Sequence, residues 1–62
     1  MKNKYTVVVK SGKKNRSVAV ESNNPMEAHK TVYMRIKRTE EVDSITDDTG
    51  AVVFNIKQGF SQ

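Results

Sequence analysis

His29 is the single histidine in this chain of 62 residues, and histidine is the side chain whose ordinary titration range suits a general base near neutral pH. It stands two residues after Glu27 and four before Tyr33, so the three share one stretch of helix. A base needs something to activate, and the chain has no cysteine, no second histidine and no serine in a nucleophile elbow. His29 therefore reads as a packing residue with a wet edge on the shoulder of an apolar stripe. No catalytic residue is expected, and the chain is read as a non-enzyme.

Five acids, Glu40, Glu41, Asp43, Asp47 and Asp48, crowd one short segment. Calcium loops space their ligands alternately and close on a glutamate. This segment does neither and reads as a solvated loop. With no Cys/His set for zinc either, no metal and no cofactor is expected. Ser11-Gly12-Lys13-Lys14 lacks the first glycine and preceding run of a phosphate loop.

The remaining chemistry is charge. The net charge is +4. Six bases and no acid lie between Met1 and Arg16, whereas Glu40 to Asp48 holds the five acids and no base, which predicts an electrically two-sided molecule. Lys10, Lys13, Lys14 and Arg16 around one turn are candidates for backbone phosphates, with Lys30, Lys37 and Arg38 as a second strip on the outer face of a helix. Tyr5 and Phe54 are assigned to the core and Tyr33 to its flank, leaving no exposed aromatic pair for base stacking.

The elements that position these residues follow from periodicity. Lys4 to Lys10 alternates, with Tyr5, Val7 and Val9 on one face, and Arg16 to Glu21 alternates with Val18 and Val20 inward. Ser11 to Asn15 joins them as a hairpin turn, Gly12 and Asn15 being the residues that tolerate positive φ. Asn24 suits an N-cap, Pro25 the first helical position and Glu27 a variant capping box. The helix that starts there carries Ala28, Val32 and Ile36 along one stripe and is expected to fray out around residues 39–41.

Ser44 to Asp47 and Ala51 to Lys57 read as a second hairpin around Asp47-Asp48-Thr49-Gly50, a type I turn with a bulge. Ile45, Val52, Phe54 and Ile56 are its expected inward face, and Val42, out of phase with Ile45, is expected to seal the loop after the helix. Residues 58–62 read as a polar tail around Phe60.

The sum is an α+β fold, β-β-α-β-β, as one domain over residues 1–57: a four-stranded, mostly antiparallel sheet with one helix packed on one face. Its open face is expected to show Val8, Ala19 and Val53 among polar neighbours. Those three residues, with Phe60 as a possible anchor, are the candidates for protein contact or a homo-oligomer interface. There is no apolar signal core and no membrane-spanning run, so no membrane partner is expected, and no small-molecule substrate either.

From Val18 to Ala28 a valine-rich strand passes through Ser22-Asn23-Asn24-Pro25-Met26-Glu27-Ala28 into the helix. This run resembles a pattern met in short proteins of bacteriophages and plasmids, the DpnD/PcfM-like small proteins among them. The resemblance implies a small accessory protein of a mobile genetic element at work in the bacterial host cytoplasm. The leading expectation is a non-enzymatic binding module acting through protein contact and self-association. The alternative is a nucleic-acid-binding protein that uses the basic turn and the basic helix face.

Overall fold

A computed structural model describes residues 2–60. The elements run β1 (Asn3–Ser11), β2 (Lys14–Ser22), α1 (Pro25–Tyr33), β3 (Glu41–Asp47), β4 (Val52–Asn55) and β5 (Gly59–Phe60). They form one helix over a single sheet of order β2-β1-β3-β4-β5, in which every neighbouring pair is antiparallel. The chain is thus an α+β domain, with five strands where four are expected from the sequence.

Each turn has a local cause. Ser11 pairs with Lys14, so Gly12 and Lys13 alone make the first turn, and Gly12 at φ 62° supplies the positive φ that a type II′ turn needs at its first central position. Asn15 lies within β2 opposite Lys10, not in the turn. In the second hairpin Oδ1 of Asp47 accepts from the Thr49 and Ala51 N–H groups, both at 2.9 Å, and from the Thr49 hydroxyl at 2.6 Å. These bonds hold the Asp47 carboxyl below its ordinary pKa, the Thr49 hydroxyl first among them.

Four expectations about the strands need correction. Val42 does not seal a loop. A bulge between Ser44 and Val42 restores the phase, so Val42 pairs with Val9 and is buried. A second bulge, between Ile45 and Thr46 on β3, has Phe54 opposite Ile45 but Val52 opposite Thr46. Val53 is the extra residue and packs against the core, while Val52, expected inward, is exposed. Val53 is therefore not an open-face residue, and Ile56 is an exposed turn residue, not an inward one.

The polar tail expected over 58–62 is in part a strand. Asn55 Oδ1 accepts from Lys57 N–H at 2.8 Å, Gln58 N–H donates to the Asn55 carbonyl at 3.0 Å, and Gly59 takes φ 81°. The resulting turn brings Phe60 opposite Phe54 as β5. Residues 61 and 62 of that tail lie outside the described residues.

The helix begins where expected. Asn24 Oδ1 accepts from Glu27 N–H at 2.9 Å and Glu27 Oε2 accepts from Asn23 N–H at 3.2 Å, closing the box one residue earlier than the usual form. It ends at Tyr33, short of residues 39–41. No glycine is available for a left-handed cap, and the last turn tightens instead, with both Arg35 and Ile36 N–H donating to the Val32 carbonyl.

The core lies between α1 and the sheet. Val18, Val7, Ile45, Phe54 and Phe60 form one row across all five strands on the helix side. Ala28 and Val32 press onto it fully buried, with Ile36 half-buried beside them. A domain of this size buries only about 60% of its unfolded surface, so each member of the row counts heavily.

Candidate nucleic-acid interface

Strand direction decides where the charges go. β1 climbs to the Gly12-Lys13 turn, β2 descends, α1 climbs again, β3 starts beside Lys10 and β4 climbs to the turn at 56–58. The first hairpin tip, the segment from Met34 to Glu40 and the last turn therefore share one end of the molecule. At that end stand Lys10, Lys13, Lys14, Arg16, Arg35, Lys37, Arg38 and Lys57, eight of the eleven bases, against Glu40, Glu41 and Asp43. Eight against three gives +5 there and leaves −1 for the rest of the +4 chain.

The molecule is two-sided, as expected, but not with the expected membership. The acidic segment divides: Glu40, Glu41 and Asp43 sit at the basic end, and Asp47 and Asp48 at the other. The expected strip of Lys30, Lys37 and Arg38 on one helix face does not form, because α1 ends at Tyr33 and Lys37 and Arg38 belong to the following loop. Lys30 instead borders a groove with Lys2, Glu21 and Glu27.

One ion pair fixes this end. The Arg16 guanidinium donates from Nε to Glu40 Oε2 at 3.1 Å and from its terminal nitrogen to Oε1 at 3.4 Å. Glu40 Oε1 also accepts from Lys37 N–H at 3.0 Å, and Glu40 N–H donates to the Lys37 carbonyl at 3.0 Å. The Lys37 N–H first, and Arg16 with it, hold the Glu40 carboxyl below its ordinary value. Arg16 is thus spent on tying the helix-to-β3 loop to β2, while Lys10, Lys13, Lys14, Lys37 and Arg38 are all exposed.

Beside Lys37 and Arg38 lies an open cleft of about 250 Å³, lined by Tyr33, Ile36, Lys37, Arg38 and Glu40. Tyr33 is 65% exposed, not confined to the core flank, and its ring stacks on His29 at 5.9 Å between centroids. An exposed tyrosine next to two cations is what base stacking on a basic surface uses. The sequence does not signal this exposure, because no glycine marks the end of α1 at Tyr33.

The other candidates are dispersed. Val8 is half-buried on the open face, Ala19 is exposed there in a row with Thr6, Thr46 and Val52, and Val53 faces the core. Phe60 is not a free anchor: its ring lies 4.7 Å from Phe54 and 5.8 Å from His29. His29, 5.0 Å from Phe54, is the aromatic bridge between α1 and the β4-β5 ribbon. Glu27 is committed to the helix cap. Among the described residues no group of three or more His, Cys, Asp or Glu could hold a metal ion, and no helix is long and apolar enough to cross a membrane.

No family model matches the chain, and neither a curated protein nor a solved structure gives a match.

Proposed function

We propose that this chain is a small non-enzymatic binding module whose basic end holds the phosphate backbone of a nucleic acid. The observation that carries the reading is the gathering of eight of eleven bases at one end by the strand order. Lys10, Lys13 and Lys14 on one rim and Lys37 and Arg38 on the other supply exposed cations for phosphates. Arg16 and Glu40 set the distance between the rims. Tyr33 offers one stacking surface, which favours unpaired bases over a closed duplex.

The resemblance of the Val18–Ala28 run to short phage and plasmid proteins supports an accessory role for a mobile genetic element in the host cytoplasm. Protein contact is the competing reading. Val8, Ala19 and Val52 on the open face favour it, since apolar residues among serines and threonines can meet another surface.

Fluorescence anisotropy with a labelled single strand and the matching duplex, each at low and high salt, separates the two. The nucleic-acid reading expects low-salt binding that weakens sharply with salt and favours the single strand, a preference that Tyr33→Ala reduces. No binding to either probe at low salt ends this reading and leaves protein contact.

A further inference from the structure

We propose that β2 is the seam of a symmetric dimer in which two copies of this chain pair their β2 strands antiparallel. The inference does not rest on nucleic-acid binding. β2 is an edge strand of nine residues with no proline, and its pairing to β1 runs from Lys14 to Ser22 without a bulge. Edges of that length are normally blunted by bulges, prolines or charges; the charges of β2, Lys14, Arg16 and Glu21, stand toward its two ends and leave Ser17 to Val20 at its centre uncharged. Among the described residues the opposite edge, β5, has two.

The register follows from parity. In a two-residue turn the flanking residues, here Ser11 and Lys14, form the hydrogen-bonded pair, and such pairs alternate along an antiparallel ladder. Lys14, Arg16, Val18, Val20 and Ser22 thus spend their backbone groups on β1, while Asn15, Ser17, Ala19 and Glu21 turn theirs outward. Two copies can join only by pairing outward residues with outward residues. The twofold axis then stands perpendicular to the sheet, and both helices lie on one face of a continuous sheet.

The register that pairs all nine residues is centred on Val18. It sets Val18 opposite Val18 of the second copy, Ser17 opposite Ala19 and Asn15 opposite Glu21, and no like charges meet. Arg16 falls opposite Val20 and is already neutralised by Glu40. Because β2 strands run antiparallel across the seam, the two basic ends point away from each other and do not repel at close range.

Ala19→Pro tests this, since it removes an outward N–H that β1 does not use, and an edge strand tolerates proline on that side. Light scattering should show the native chain rising from 7.0 kDa toward twice that mass with concentration, with Ala19→Pro staying at 7.0 kDa and keeping its circular dichroism. Amide exchange on the native chain makes the test independent of whether that variant folds. The Ser17 and Ala19 N–H groups should exchange at least about tenfold more slowly at high concentration, with Val18 and Val20 unchanged. A mass of 7.0 kDa at every concentration overturns the proposal. So does a dimer in which Ser17 and Ala19 still exchange freely, because its interface lies elsewhere, or protection that appears only when a foreign extended peptide is added.

Discussion

Neutralising Lys13 and Lys14 together should flatten the salt dependence of oligonucleotide binding by a calculable amount. Five exposed bases, Lys10, Lys13, Lys14, Lys37 and Arg38, line the two rims of the basic end. If each neutralises one phosphate of a single strand, the logarithm of the binding constant falls with the logarithm of salt at a slope of about −3.5, roughly 0.7 per contact. A fourfold rise in salt then weakens binding about 100-fold. Lys13→Gln with Lys14→Gln leaves three contacts, a slope of about −2.1 and a loss of only about 20-fold over the same range. Both residues are exposed on the first hairpin tip, so the variant should fold normally. Anisotropy titrations at four or more salt concentrations read the slope directly. An unchanged slope refutes the reasoning, as does an equal flattening from Lys2→Gln with Lys4→Gln at the other end of β1.

Ile45 is fully buried at the centre of the five-strand row, and Ile45→Ala should cost about 3 kcal/mol. Against a total of roughly 3–9 kcal/mol for a chain of this length, urea titration should find much of that variant unfolded in buffer. Phe60→Ala should lower stability by about 1–2 kcal/mol through loss of the ring contacts to Phe54 and His29, and leave oligonucleotide affinity unchanged; free mobility of Phe60 in the native chain would show as no loss at all. The Glu40 carboxyl holds its proton less tightly folded than unfolded, so its contribution is complete above the ordinary value of 4.5 and is lost as pH falls through the lowered one. Thermal melts should therefore show Glu40→Gln destabilised at neutral pH, with the gap to the native chain closing in acid. A gap that does not close removes the Arg16–Glu40–Lys37 clamp from the account.

Much of the fold was legible because its causes are local. Asn24, Pro25 and Glu27 announce the helix start within four residues, and Gly12 and Asp47 to Gly50 announce two turns. The α+β layering followed from the periods alone. What escaped depends on pairing between distant segments or on a single extra residue. A bulge shifts the phase by one, so Val42 looked out of step and Val52 and Val53 exchanged faces. β5 is too short for periodicity to detect, although Asn55 and Gly59 around its turn echo the Asp47 and Gly50 signal. The helix lacks a glycine stop, which hid both its early end and the exposure of Tyr33. The individual bases of the candidate site were legible. Their gathering was not, since strand order alone puts Lys57 and the loop bearing Lys37 and Arg38 beside the first hairpin.

Backbone amide shifts of labelled protein, followed by NMR while a short single-stranded oligonucleotide is added, test the basic end most directly. The account predicts salt-sensitive shifts confined to the two rims, Lys10 to Asn15 and Tyr33 to Glu41. Shifts centred on Glu21, Glu27 and Asp47 to Gly50, or no shifts at low salt, would contradict it.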